Sequence, residues 1–110
     1  MNQCLAILGM AKKAGKLAVG GDATAAAVRQ GKAKLVITAS DASESSVRRA
    51  KDTADANNTS YLGVPLTMFE LGKTAGRGSP GTIAFLDKGL ADSFTKRLTT
   101  TEYVKESDAK

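Results

Sequence analysis

The residues with the clearest capacity for chemistry lie in one stretch, between Lys12 and Lys34. In its middle, Gly20-Gly21-Asp22 joins two glycines, which tolerate unusual backbone angles, to a residue type that often starts a helix. A helix start carries free backbone N–H groups and a partial positive charge, and both attract anions such as phosphate. The stretch holds one acid, Asp22, and six basic residues: Lys12, Lys13, Lys16, Arg29, Lys32 and Lys34. The pattern predicts a phosphate-binding helix start flanked by Lys16, Lys32 and Lys34, with an ordinary helix start as the alternative.

A second candidate segment runs from Gly76 to Gly81 and is too rich in glycine and proline for a helix or a strand. Within it, Arg77 and Ser79 could bond to the same anionic partner. A plain surface turn explains this composition equally well.

A further basic cluster lies in a predicted helix and consists of Arg48, Arg49 and Lys51. The same helix carries acids at spacings that allow pairs three or four residues apart, namely Glu44, Asp52 and Asp55. We therefore interpret this cluster as a solvated face.

The residue types that enzymes use for acid–base or nucleophilic catalysis are sparse. The chain has no histidine, no phosphate-loop signature and no evident cluster of carboxylates. Its single cysteine, Cys4, lies in an apolar stretch and is expected to be a buried thiol. We expect a binding protein without catalytic activity, metal or cofactor.

Composition favours one domain and a polyanionic partner. The 110 residues are 42% apolar and 25% charged, which suits a single domain over 1–99, followed by a mobile charged tail over 100–110. The net charge of +5 favours a negatively charged partner. No run approaches the roughly 20 apolar residues that span a bilayer, and no secretory signal is evident. We expect a cytoplasmic protein with no membrane contact.

Hydrophobic spacing predicts alternating helices and strands. A helix around Cys4 to Ala11 precedes a short strand at 17–19, and a second helix begins at Asp22 and ends before Gly31. The apolar run 35–39 is predicted to be a strand covered on both faces. A third helix is expected to start with Asp41 as its cap and Glu44 as the reciprocal acid, and a strand at 60–63 follows it.

Thr67-Met68-Phe69-Glu70 has the pattern of a capping box before a fourth helix. A strand at 82–86 and a last helix with Leu90, Phe94 and Leu98 on one face complete the order. The three phenylalanines, Phe69, Phe85 and Phe94, are assigned to the core. This order favours a three-layer α/β/α fold around one sheet and leaves the spatial strand order open.

Several motifs together resemble a known family. They are LGMAKKAGKL near the start, GGDATAAAVRQGKAKLVITASDAS in the middle, and then VP, FELGKTAG and TIAFLDKG. From about Leu5 to Phe94 the chain resembles the small bacterial branch of the superfamily of ribosomal proteins L-seven-Ae and L-thirty-e. The resemblance implies an α/β/α sandwich with a mixed four-stranded sheet. It also implies binding to sharply bent RNA, the kink-turn, at tandem sheared guanine–adenine pairs.

RNA-binding relatives carry approximately Gly-x-Asn-Glu-x-x-Lys before the second helix. The resemblance places Gly20 and Gly21 in the glycine region and Asp22 at the asparagine, with Ala23 and Ala26 where glutamate and lysine would stand. It also makes the segment 76–81 the second RNA-facing loop. The expected RNA-binding residues are Lys16, Gly20, Gly21, Asp22, Thr24, Lys32, Lys34, Arg77, Gly78 and Ser79.

The expected partner is structured RNA, ribosomal or otherwise kink-turn-like, bound by a protein that is monomeric when free and associates with the ribosome. The alternative is a protein-interaction or regulatory module of the same fold that has lost kink-turn recognition.

Overall fold

Helices and strands alternate along the chain, as the hydrophobic spacing predicts. The computed structural model describes residues 3–76 and 78–98. The elements are α1 (Gln3–Lys13), β1 (Leu17–Val19), α2 (Gly21–Arg29), β2 (Leu35–Thr38), α3 (Glu44–Ala56), β3 (Ser60–Gly63), α4 (Met68–Ala75), β4 (Thr82–Phe85) and α5 (Lys88–Leu98). The predicted tail at 100–110 lies outside the described residues. None of the described helices has the length and apolar character needed to cross a membrane.

The sheet is mixed, with strand order β1-β4-β2-β3. Strands β2 and β3 are parallel, whereas β4 is antiparallel to both β1 and β2. Strands β1, β2 and β3 therefore run in one direction, and all three end where β4 begins. Because α2, α3 and α4 each follow one of these strands, all three helices begin at this end of the sheet, which we call the helix-start end.

Alternating side chains of the central strands fill two cores. In β2, Leu35 and Ile37 pack with residues of α1, α4 and α5, whereas Val36 packs with residues of α2 and α3. Strand β4 repeats the pattern, since Phe85 faces the first core and Ala84 the second. The predicted α/β/α fold with a mixed four-stranded sheet is confirmed.

The first core contains most of the large side chains. The rings of Phe85 and Phe94 lie 5.0 Å apart between centroids, and both side chains are fully buried. Cys4 is also fully buried, as predicted, and its thiol donates to the Phe94 carbonyl oxygen at 3.9 Å.

The core assignment of Phe69 is wrong, since this residue is 70% exposed. Helix α4 buries Leu71 and Ala75, which are one turn apart on a single face. Phe69 precedes Leu71 by two residues, or about 200° around the helix, and therefore points away from that face. Residue type alone therefore did not predict the burial of Phe69, because its position around the helix axis turns the side chain away from the core.

Two of the predicted helix starts also differ from the structure. Helix α2 begins at Gly21 with Gly20 at the N-cap, so Asp22 lies in the first turn and caps nothing. Helix α3 is capped by Ser43, which accepts a hydrogen bond from the Ser46 N–H at 3.2 Å. Asp41 instead accepts a hydrogen bond from the Met68 N–H at 2.8 Å, at the start of α4. The β2–α3 connection folds toward α4, which moves this carboxylate away from its own helix.

The capping box of α4 is confirmed, with Thr67 accepting from the Glu70 N–H and Glu70 accepting from the Thr67 N–H. After α4, the chain turns at Gly76 in a left-handed conformation and returns along the helix. Gly72 makes this return path possible, because a side-chain carbon at Gly72 would overlap the carbonyl group of Gly78.

We predict that Gly72→Ala destabilises the protein by about 1 to 3 kcal/mol, since the added methyl must displace the returning chain. Urea denaturation measures the change. Gly9→Ala in α1 is the matched control, because its methyl would meet Thr74 Cγ2 at an ordinary 3.6 Å. Alanine there should stabilise its helix by roughly 0.5 to 1 kcal/mol. An equal gain at Gly72 would contradict the proposed close contact.

Candidate nucleic-acid interface

The start of α2 is shaped by the backbone of Gly20. Its φ of 101° and ψ of 159° belong to a region that only glycine adopts at low cost. The Gly20 N–H donates to the Thr82 carbonyl oxygen at 2.8 Å, which fastens the end of β1 to the start of β4. Gly20 in turn accepts the first hydrogen bond of the helix, from the Thr24 N–H at 2.9 Å.

No side chain caps the start of α2. The starts of α3, α4 and α5 each have a side-chain acceptor for a backbone N–H, supplied by Ser43, Thr67 and Asp87. The first-turn N–H groups of α2 are thus left to solvent or to a ligand. Together with the helix dipole, they favour an anion at this position.

Asp22 forms an ion pair that the sequence did not suggest. Its carboxylate accepts a hydrogen bond from Arg49 Nη2 at 3.0 Å, across the gap between α2 and α3. Among the described residues, Arg49 pairs with this acid and not with the acids of its own helix. Arg49 is exposed, as predicted for a solvated face, but its partner lies on α2. The Asp22 side chain is 97% exposed and that of Arg49 is 51% exposed.

Gly21 lets the guanidinium group approach the helix start. A side-chain carbon at Gly21 would lie 3.3 Å from Arg49 Nη1. Gly21 and Arg49 both border a small cleft between α2 and α3, together with Ser46, Gly81 and Thr82. The sequence did not identify Arg49 as a site residue, because its partner Asp22 is 27 residues away. The one local hint was Gly21, whose lack of a side chain leaves room for a neighbouring group.

The end of the loop 76–81 reaches the same place. Gly81 accepts a hydrogen bond from the Ala39 N–H at 2.9 Å, which holds the end of the loop against the end of β2. Gly78 and Ser79 are exposed, whereas Arg77 lies outside the described residues. The structure therefore places the end of the predicted second loop beside the start of α2.

Thr24 has a structural role in the first turn of α2. It is buried, and its hydroxyl donates to the Ala18 carbonyl oxygen at 3.4 Å. Its side chain consequently faces the sheet. Ala23 is exposed and Ala26 is half-buried, so neither offers a polar group to the surface around Asp22.

The three predicted flanking lysines lie at the opposite end of the sheet. The Lys34 N–H donates to the Phe85 carbonyl oxygen, and Lys16 accepts from the Leu86 N–H, at 2.7 and 2.8 Å. Lys32 follows the C-terminal end of α2, and a groove brings it together with Lys16 and Lys34. We call this the lysine end.

The predicted flanking arrangement around the α2 start is therefore wrong. A nine-residue helix is about 13 Å long, so residues that follow α2 cannot lie beside its first turn. Residues close to Gly20 in sequence are thus divided between two ends of the sheet. No group of three or more potential metal ligands occurs in the described part of the chain.

Comparison with known proteins decides the family. The model of the Ribosomal protein L7Ae/L30e/S12e/Gadd45 family matches residues 2–94. The chain belongs to this family. The resemblance inferred from its motifs is thereby confirmed.

Two curated relatives, both bacterial, are named RNA-binding protein YlxQ. That of Enterococcus faecium is 43% identical over 65 residues, which cover 59% of this chain and 56% of that protein. That of Bacillus subtilis is 29% identical over 96 residues, which cover 84% of this chain and 91% of that protein. The first match thus spans little more than half of its relative.

Two solved structures share the fold of this family member. A protein of unknown function from Bacillus halodurans superposes with a TM-score of 0.81 at 24% identity, over 89% of this chain and 98% of that one. The Giardia lamblia 15.5kD RNA-binding protein superposes with a TM-score of 0.72 at 18% identity, over 90% of this chain and 84% of that one.

We predict that Gly20→Ala destabilises the protein by roughly 1 to 3 kcal/mol, because alanine is strained at this φ and ψ. The neighbouring Gly21→Ala serves as control, since its methyl would meet only the movable end of Arg49. Thermal unfolding of both variants measures the difference. If the two substitutions cost the same, backbone strain at Gly20 is not what fixes the helix start.

Proposed function

We propose that this chain binds structured RNA of the kink-turn type at the helix-start end of its sheet. The observation that carries the proposal is the meeting of three features there: the uncapped start of α2, the end of the loop 76–81 and the Arg49 guanidinium. Family membership and the two relatives named as RNA-binding proteins support RNA as the partner.

Each feature has a chemical task in this proposal. The free N–H groups of the α2 start donate to a phosphate, and the glycines allow its close approach. Arg49 uses one nitrogen for Asp22 and keeps further N–H donors for a phosphate or for guanine O6 and N7. Asp22 can also accept a bond from a guanine amino group, and its pairing with Arg49 offsets the repulsion between its carboxylate and phosphates.

Arg49 replaces part of what Ala23 and Ala26 lack. In the relatives, the resemblance assigns glutamate and lysine to these two positions, on α2 itself. Here the cation comes from α3, on the other side of the same cleft. We infer that this chain binds the same bent RNA more weakly than those relatives do, with its contacts divided between α2 and α3.

The proposed role is binding without catalysis, in the cytoplasm and in association with the ribosome, as the family name suggests.

A protein-interaction module of the same fold is the second candidate. Phe69 favours it, because this aromatic side chain is 70% exposed in the first turn of α4, at the helix-start end. RNA titration separates the two candidates.

The test compares a kink-turn RNA with a straight RNA duplex of equal length. We expect the parent protein to prefer the kink-turn and Arg49→Ala to weaken that complex by roughly 1 to 3 kcal/mol, through loss of a charged donor. Arg48→Ala is the matched control. This substitution removes the same charge from an exposed neighbouring residue that does not line the cleft. Absence of binding to both RNAs at low salt would favour the interaction module, and equal losses in the two variants would remove Arg49 from the site.

Restoring the family pattern should strengthen kink-turn binding. We predict that Asp22→Asn, Ala23→Glu and Ala26→Lys together raise the kink-turn affinity by about 1 to 3 kcal/mol for each base that a new side chain reaches. The double variant Ala23→Glu and Ala26→Lys retains the Asp22–Arg49 pair and shows whether that pair helps or hinders. A folded triple variant whose preference over the duplex is unchanged would mean that α2 is not presented to RNA in the family's manner.

A further inference from the structure

The basic stretch of the sequence forms a surface of its own at the lysine end. Lys16, Lys32 and Lys34 line one groove there, with Gly15, Gly31 and Leu86 between them. All three lysines are exposed, and none forms an ion pair with a described residue. The one acid of the stretch, Asp22, lies at the other end of the sheet and pairs with Arg49.

The backbone holds these lysines in fixed positions. The hydrogen bonds of Lys16 and Lys34 to the end of β4 anchor two of them, and the Lys32 N–H donates to the Ala27 carbonyl oxygen at 2.9 Å. Lys16 directly follows Gly15, which has a left-handed φ of 71°, and Lys32 directly follows Gly31, which has a φ of 75°. Backbone hydrogen bonds thus hold the two turns to the sheet and to α2, while the three lysine side chains are exposed to solvent.

Helix stabilisation does not explain this cluster. Lys12, Lys13 and Arg29 lie in the last turns of α1 and α2, where cations interact favourably with the helix dipole. Lys16, Lys32 and Lys34 follow those helices and add like charge to the same region. The nearby Asp87 carboxylate accepts a hydrogen bond from the Leu90 N–H at 2.9 Å and forms no ion pair with these lysines in the described structure. Such a cluster repels itself in the free protein and is relieved by a polyanion.

We propose that the surface formed by Lys16, Lys32 and Lys34 binds the phosphate backbone of a second RNA segment without reading its sequence. Only the choice of RNA among polyanions rests on the proposed function. The groove lies about one helix length from the α2 start, so the two ends of the sheet contact different phosphates. One protein molecule can then hold a bent RNA at one end and a second RNA segment at the other.

The test uses the full chain with Lys16, Lys32 and Lys34 all changed to Gln, which removes the charges and keeps most of each side-chain stem. The matched control changes Arg48, Lys51 and Lys73 to Gln, which removes equal charge from exposed positions on α3 and α4. Binding of a straight RNA duplex is measured over a salt series. We expect the first variant to reduce the salt slope by about two to three, because each phosphate contact contributes about 0.9, and the control to change it by less than about one.

A bridging assay completes the test. Kink-turn RNA is immobilised, protein is added, and retention of a labelled straight duplex is measured. We expect the parent and the control to retain the duplex, and the Lys16, Lys32 and Lys34 variant to lose it with its kink-turn binding intact. Equal salt slopes and equal retention for the two triple variants would overturn the proposal.

The two proposals can fail separately. A parent that binds the duplex through these lysines but shows no kink-turn preference would overturn the proposed function and leave the lysine surface standing. Thermal unfolding accompanies each variant. Because the substitutions relieve repulsion, we expect the melting temperature of the Lys16, Lys32 and Lys34 variant to be equal to or above that of the parent.

Discussion

The antiparallel position of β4 between β1 and β2 is the constraint on which the rest of the structure depends. Its backbone bonds to both neighbours, and its side chains enter both cores. Its direction decides which residues meet: the Thr82 end touches Gly20, whereas the Phe85 end touches Lys34. A parallel β4 would move the end of the loop 76–81 away from the α2 start and Leu86 away from the lysine groove. The direction of one strand thus decides which segments of the chain complete each surface.

Most of the elements could be predicted because their signals are local. The capping box at Thr67 and Glu70, the apolar run of β2 and the spacing of Leu90, Phe94 and Leu98 each lie within a few residues of the chain. The layers followed from the order of those elements. Asp41 and Asp22 were misassigned as caps because several neighbouring residues have capping chemistry, and tertiary contacts select among them.

The candidate site was predictable only in part. The glycines before α2 and the loop 76–81 were found from composition, and the structure brings the end of that loop to the α2 start. The ion pair between Asp22 and Arg49 was not, since it joins two helices whose relative position depends on strand order. The lysines were assigned to the wrong end of the sheet for a different reason. They are close to Gly20 in sequence, but the predicted helix between Asp22 and Gly31 already separates Lys32 and Lys34 from its start by about one helix length.

The contact between Gly72 and the returning chain has an evolutionary consequence. The carbonyl group of Gly78 occupies the space that any other residue at position 72 would need for its side chain. A homologue with a larger residue there must route this connection along a different path, with a different length or composition. Residue 72 and the loop should therefore co-vary across the family, so that a single position in a helix reports how each member presents this loop to its partner.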